Sequence, residues 1–314
     1  MKCPSCTRDH KHSYGMKCNC GYVFALDPKI DGISDRRFVS FINRASSNGT
    51  FRFTENQLYT EACRKQLDAP FSVLGLFAVM VVGFVIAAIV FDPMLLVLLL
   101  VPTIGTLVWA YWRYLRELSR SKFEGWLKTY VSGQGPIENM ITPGGLVEPP
   151  SDAVEPDIYD YGVERILFVE RPLIVDLLIA NNVHMTNRAV IVTTDGYPAY
   201  IEPIANRLLE ESPELPVFLL HDATNEGMLW AADQTTRFMS LKRELVDIGL
   251  KPESFKRIKK VRSLRLRKQN WQATIDTLPM AMLAEGISLS LDLGIEIEEL
   301  LVNETSSDST ASFG

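Results

Sequence analysis

Four of the five cysteines of this chain lie within its first twenty residues, in two close pairs. These cysteines are Cys3, Cys6, Cys18 and Cys20. Two close pairs joined by a short polar loop supply the four thiolates of a tetrahedral zinc site, and Gly21 suits the positive φ of the turn after the second pair. His10 and His12 lie in the loop and are alternative ligands, but we favour four thiolates. We therefore predict a structural zinc ion at this end of the chain.

This cysteine pattern resembles a zinc ribbon over residues 1–26, although one residue separates Cys18 from Cys20 where two are commoner. A segment this small cannot bury a core, so we expect it to fold only with its metal. For residues 27–69 the sequence predicts a small helical or mixed segment. In this segment we expect Phe38 and Phe41 to lie either at a membrane surface or against the ribbon.

Acidic side chains form the second group of residues that could do chemistry, since each follows a short apolar segment. They are Glu170, Asp195, Asp222 and Glu226. If those segments are parallel strands, their carboxyl ends meet at one edge of a sheet. Carboxylates crowded there raise one another's pKa, and a hard cation such as magnesium relieves the repulsion. The alternative is a set of ordinary polar loops in which Asp caps helices.

The elements that would position these carboxylates are apolar strands alternating with helices. We predict strands at 165–169, 189–193 and 216–220, and helices at 172–182, 198–211 and 226–249. Continuously apolar strands of this kind indicate a parallel sheet covered on both faces. The predicted fold class is α/β, with a Rossmann-like parallel sheet over residues 158–303.

Three stretches carry a resemblance to a known family: 166–171 (ILFVER), 190–198 (VIVTTDGYP) and 215–227 (LPVFLLHDATNEG). Together they look like a Toprim domain, in the form found in the A subunit of type IIB topoisomerases, across about residues 160–250.

The resemblance implies that Glu170 is the general acid/base and that an Asp-x-Asp pair holds magnesium for phosphodiester chemistry. Asp222 matches the first member of that pair, but Thr224 stands where the family has the second. Asp195 or Glu226 would have to replace the missing ligand. The resemblance therefore implies a degenerate module.

A basic run follows the predicted sheet. Its candidate contacts for nucleic acid or lipid are Lys256, Arg257, Lys259, Lys260, Arg262, Arg265, Arg267 and Lys268. If the run lines the carboxylate edge, it could grip a phosphate backbone, with Trp271 available for stacking. A solvated helix or strand face is the alternative, and anionic lipid is a third interpretation.

Residues 71–112 contain no Lys or Arg and a single charged residue, Asp92. Each of the segments 71–91 and 94–112 matches the ~20 apolar residues that a membrane-spanning helix needs, and Asp92-Pro93 is a turn pair. We predict a two-helix transmembrane hairpin within residues 70–114; the alternative is one long buried helix. Lys and Arg on both flanks indicate an inner (cytoplasmic) membrane location with both termini cytoplasmic.

The remaining segments are a linker at 115–157 and a polar tail at 304–314 that we expect to be disordered. A formal net charge of -6 over 314 residues argues against a generally basic nucleic-acid binder, but a local patch could still serve.

Three functions follow from these patterns. We favour a membrane-anchored, degenerate Toprim-like module that binds nucleic acid, a nucleotide or a protein partner. The second is a metal-dependent nuclease that uses Glu170 and Asp222, and the third is a membrane scaffold for protein docking.

Overall fold

The cysteine-bearing segment, a small helical unit and an α/β domain follow one another along the chain in the computed structural model. The structure describes residues 1–67, 118–142, 144–145, 159, 162–240, 243, 245–255 and 272–297.

Two helices that are neighbours in sequence pack with a third, distant one to form the helical unit. They are α1 (Asp35–Ala45), α2 (Glu55–Leu67) and α3 (Arg120–Gln134). In α1 the apolar residues recur at helical spacing, which buries Phe38 and Phe41 in a core shared with Leu58 of α2 and Phe123 of α3. Phe38 and Phe41 therefore lie in a protein core, and the expectation that they lie at a membrane surface is not needed.

The α/β domain is built on a four-stranded sheet whose order is β2-β1-β3-β4. The strands are β1 (Arg165–Val169), β2 (Ala189–Val192), β3 (Val217–Leu220) and β4 (Leu245–Asp247). Neighbouring strands pair in parallel throughout. β1 lies between β2 and β3, so the strand order reverses beside it and the carboxyl ends of β1 and β3 adjoin. Crevices at such reversals are where open α/β sheets bind their ligands.

Helices connect the strands and surround the sheet. They are α4 (Pro172–Ala180), α5 (Val183–Thr186), α6 (Glu202–Glu211), α7 (Asn225–Ser240), α8 (Pro252–Phe255) and α9 (Met280–Leu293), with 3₁₀ turns at His12–Tyr14 and Ile275–Thr277. Every residue of β2 and β3 is buried, which explains why these strands are continuously apolar.

One predicted helix is too long. The sequence predicted helix over 226–249, whereas α7 spans Asn225–Ser240 and the fourth strand occupies Leu245–Asp247. A three-residue strand of intermediate burial is too short to show a period of two, so its pattern merges with that of the preceding helix.

The membrane assignment needs correction. Across the described ranges, no helix is long and apolar enough to cross a membrane; the longest there, α7, has 16 residues and carries polar groups along its length, against the ~20 apolar residues that a crossing needs. The predicted spans at 71–91 and 94–112 lie outside the described residues. We withdraw the transmembrane hairpin, the integral-membrane partner and the inner-membrane location, and we keep the α/β parallel sheet.

Candidate functional site

The four N-terminal cysteines converge on one point. Their Sγ atoms all lie within 4.8 Å of one another, so they could hold a metal ion. The closest contacts cross between the two pairs: Cys3 to Cys20 at 3.6 Å and Cys6 to Cys18 at 3.7 Å. Each pair lies on a tight turn, and Gly21 has the positive φ (96°) that the sequence indicated.

Both histidines of the intervening loop are engaged elsewhere. The His10 Nε2 atom lies 2.8 Å from the carbonyl oxygen of Gly15, and the His12 Nε2 atom lies 2.9 Å from a carboxylate oxygen of Asp27. The group that could hold a metal ion consists of the four thiols.

The pKa values of two of these thiols are shifted in opposite directions. A hydrogen bond with the Tyr22 backbone lowers the pKa of Cys20 to about 7. The Arg8 backbone lowers the pKa of Cys6, but burial and the other three thiols outweigh it and raise that pKa to about 11. One thiolate therefore forms readily while its neighbour does not, and a metal ion would stabilise them together.

A buried carboxylate attaches this cluster to the helical unit. Asp35, at the start of α1, is fully buried and accepts hydrogen bonds from the backbone amides of Ala25 (2.9 Å) and Leu26 (2.7 Å) and from the Tyr22 hydroxyl (2.8 Å). The Trp126 indole of α3 donates to the Asp31 carbonyl oxygen at 2.9 Å. The cysteine-bearing segment is therefore packed against the rest of the protein.

The second candidate site lies at the carboxyl edge of the sheet. Glu170 directly follows β1 and extends its pairing with β3, because its backbone amide donates to the Leu220 carbonyl oxygen at 3.0 Å. The Glu170 Oε2 atom accepts a hydrogen bond from the Asp222 amide at 2.8 Å. The structure thus brings together Glu170 and Asp222, the two residues that the Toprim resemblance implied.

Asp222 is 4% exposed, and its carboxylate already has partners. The Arg171 Nε atom lies 2.5 Å from Asp222 Oδ2, and the Arg171 Nη2 atom donates to Asp222 Oδ1 at 3.0 Å. The backbone amide of Ile275 donates to Oδ1 as well, at 2.7 Å. Burial raises the pKa of Asp222, and Arg171 offsets part of that rise.

Asp276 is a member of this site that sequence reasoning missed. It is 1% exposed, its Oδ1 accepts from Arg171 Nη2 at 2.9 Å, and its Oδ2 accepts from the Thr54 hydroxyl at 2.9 Å. No motif marks Asp276, because its partners Arg171 and Thr54 lie 105 and 222 positions away in the chain.

Thr224 has a structural role at the start of α7. Its hydroxyl accepts from the Gly227 amide at 2.9 Å, which is the hydrogen bond of a helix N-cap. Gly227 packs so closely against the Asp222 backbone and the Glu170 carboxylate that a Cβ there would lie 2.4 Å from the Asp222 carbonyl oxygen and 2.9 Å from Glu170 Oε2. Thr224 therefore caps the helix and holds this close approach.

His221 links β3 to β4 beside the same edge. Its ring is buried, with Nδ1 2.7 Å from the Asp222 carbonyl oxygen and Nε2 3.3 Å from Asp247 Oδ1. Both of these oxygen atoms are hydrogen-bond acceptors, so an imidazole ring that carries a proton on each nitrogen fits this environment best. Burial alone would lower the pKa of His221, but Asp247, together with the Asp222 backbone and Glu170, outweighs burial and raises that pKa.

The other predicted ligands do not join this group. Asp195 is exposed in the loop after β2, and Glu226 is exposed in the first turn of α7. Where side chains are described, the four cysteines are the one group of three or more acidic, cysteine or histidine residues close enough to hold a metal ion. The basic run from Lys256 to Lys268 lies outside the described residues.

Comparison with protein-family models, with curated proteins and with solved structures finds no match for this chain. The assignment of a function therefore depends on the two sites themselves.

Proposed function

We propose that the α/β domain is a degenerate Toprim-like module that binds nucleic acid without cleaving it. The observation that carries this proposal is the environment of Asp222. Its Oδ1 atom accepts hydrogen bonds from Arg171 and from the Ile275 amide, and its Oδ2 atom is in an ion pair with Arg171. Magnesium prefers oxygen ligands in a near-octahedral arrangement, but the contacts with Arg171 and Ile275 already surround the Asp222 carboxylate. Thr224, which replaces the second acid of the family pattern, uses its hydroxyl to cap α7.

Nucleic acid is the favoured ligand because of where the basic run is attached. The run begins directly after α8, and Ala273, shortly after its end, forms a bridge with Ala223 at the carboxyl edge of the sheet. Nine Lys and Arg residues between Lys251 and Lys268 give that stretch a positive charge in a chain of net charge -6. Such a run supplies the phosphate contacts that dominate binding to nucleic acid.

We also infer that the metal of the four-cysteine cluster is zinc and that its role is structural. Four thiolates with no histidine and no open position are typical of structural zinc sites. The attachment of the segment to α1 and α3 through Asp35 and Trp126 supports a role in shaping the helical unit.

The test is a titration of single- and double-stranded oligonucleotides by the full chain, followed by fluorescence anisotropy at several salt concentrations. A triple variant, Lys259→Glu, Lys260→Glu and Arg262→Glu, should bind about tenfold more weakly or worse and have a salt slope smaller by about 3. The matched control is Arg36→Glu, Arg37→Glu and Lys128→Glu, which makes the same change in charge at exposed positions of α1 and α3. That control should retain most of the affinity.

Glu170→Gln separates binding from catalysis. Affinity should be unchanged in this variant, and no cleavage product should form with magnesium in either protein. Magnesium-dependent cleavage that Glu170→Gln abolishes would establish the nuclease instead. Absence of nucleic-acid binding by the unmodified chain would overturn the proposal and leave protein docking.

A further inference from the structure

A single guanidinium joins two buried carboxylates that come from different parts of the chain. Arg171 Nη2 contacts Asp222 Oδ1 at 3.0 Å and Asp276 Oδ1 at 2.9 Å, while Arg171 Nε faces Asp222 Oδ2 at 2.5 Å. The Asp222 and Asp276 residues are 4% and 1% exposed, whereas the Arg171 side chain is 28% exposed. Two buried carboxyl groups therefore share one guanidinium.

Carboxylates in this arrangement ordinarily require a cation, because a buried charge without a partner is costly. The magnesium that the Toprim resemblance implies does not fit the residues present, since the guanidinium occupies the space between the carboxylates. Thr224 stands at the position of the second acidic ligand in the family pattern. It has no carboxylate, and its hydroxyl caps α7.

We propose that Arg171 is the resident cation of this edge: its guanidinium replaces the divalent metal ion, and Asp222 and Asp276 bind such an ion only when that side chain is removed. This inference does not depend on whether the domain binds nucleic acid.

The position of Arg171 suits this role. It lies two residues after the end of β1 and is the N-cap residue of α4 in an extended conformation, so the strand and the helix fix where its side chain starts. A guanidinium is always charged and presents a planar fork of donors that can serve two carboxylates at once. Because it belongs to the chain, this cation cannot be removed by a chelator.

The bridge also joins three parts of the protein. Arg171 and Asp222 lie at the ends of β1 and β3, and Asp276 lies in the 3₁₀ turn at Ile275–Thr277. Thr54, which directly precedes α2, donates its hydroxyl to Asp276. The guanidinium therefore connects the sheet edge, through Asp276, to the helical unit.

The experiment compares the full chain with Arg171→Met, each loaded with zinc at the cysteine cluster and then titrated with Mn²⁺. Bound Mn²⁺ is counted by electron paramagnetic resonance, and the thermal midpoint is measured in parallel. The unmodified chain should bind no Mn²⁺ at this edge and show no shift. Arg171→Met should melt several degrees lower, bind one Mn²⁺ and regain most of the lost midpoint when Mn²⁺ is present.

Two further variants assign the effect to this pair. Arg171→Met combined with Asp276→Asn should lose the Mn²⁺ and its stabilisation. Arg188→Met, which removes an arginine whose side chain is 64% exposed and paired with Glu164, should behave as the unmodified chain does.

Two results would overturn the inference. The first is that the Arg171→Met variant folds but binds no Mn²⁺. The other needs no folded variant of Arg171: a Mn²⁺ ion bound by the unmodified chain and lost in Asp276→Asn would show that metal and guanidinium coexist.

Discussion

Asp222 and Thr224 lie two residues apart after β3, and the structure gives them different tasks. Asp222 is buried in an ion pair with Arg171, while Thr224 caps the helix that follows. The Thr224 hydroxyl therefore fulfils a local backbone requirement and leaves the sheet edge without the second acid of the family pattern. Thr224 and the Arg171 guanidinium are the two features on which the proposal of a binding module, in place of a magnesium-dependent catalyst, depends.

The His221–Asp247 pair predicts a pH dependence of stability. Burial lowers the folded-state pKa of His221, but Asp247, the Asp222 backbone and Glu170 outweigh burial and raise it above the ordinary value of 6.5. His221 therefore adds stability that is complete below pH 6.5 and is lost as the pH rises through the raised pKa. Burial raises the pKa of Asp247, but His221 outweighs burial and lowers that pKa below its ordinary value of 3.8. The stabilisation by the His221–Asp247 pair is therefore lost on acidification only below pH 3.8.

Asp247→Asn should weaken this dependence. The Asp247 side chain is 37% exposed, so solvent screens the pair and we expect a difference in free energy of unfolding of about 1 kcal/mol or less near pH ~6. The difference should shrink as the pH is raised. Urea denaturation of both proteins across this range measures it, and a difference that grows with pH would contradict the assignment of a charged His221.

At the scale of elements, the contact between the start of α7 and the ends of β1 and β3 decides the geometry of the sheet edge. Gly227 allows the helix to approach the Asp222 carbonyl oxygen and the Glu170 carboxylate. The Thr224 cap and this glycine act together, since the capped amide belongs to Gly227 itself. The sheet edge is therefore shaped by backbone packing as well as by its charged side chains.

Gly227→Ala should destabilise the protein by about 1–3 kcal/mol, because the new methyl group would overlap backbone that cannot move freely. Gly125→Ala is the control, since a Cβ at that position of α3 meets nothing within 4 Å. That change should stabilise the helix by up to ~1 kcal/mol. Chemical denaturation of the two variants and of the unmodified chain measures both effects. A Gly227→Ala variant as stable as the unmodified chain would show that α7 can shift without cost.

At the scale of the whole molecule, contacts run from the cysteine cluster through the helical unit to the sheet edge. Asp35 joins the cluster segment to α1, and Thr54 and Gln57 at the start of α2 bond Asp276 and the Leu278 carbonyl oxygen. The helical unit therefore lies between the two candidate sites and contacts both.

Removing the metal from the cluster should loosen the N-terminal segment first. Structural zinc contributes on the order of 10 kcal/mol or more in small folded units, so chelation should release the amides of Ala25 and Leu26 from Asp35 and speed their hydrogen exchange. The strands β1 and β3 should remain protected. Cys3→Ser should reproduce the effect and Cys63→Ser, outside the cluster, should not; unchanged exchange after chelation would mean that the segment folds without metal.

The sequence by itself determined the local patterns of this protein. The spacing of the cysteine pairs predicted their convergence, and three continuously apolar segments predicted β1 to β3 because burial on both faces excludes polar side chains from such strands. The same reasoning placed Glu170 and Asp222 at a shared edge, since parallel strands deliver their ends together. It failed for β4, which is too short to show periodicity.

Only the tertiary structure decided what that edge contains. Asp276 reaches Arg171 across 105 positions of the chain, and Thr54 reaches Asp276 across 222. Pairing over such separations depends on how the 3₁₀ turn and α2 pack against the sheet, which no local period records. Burial then made the guanidinium necessary, because two carboxylates removed from water require a nearby positive charge.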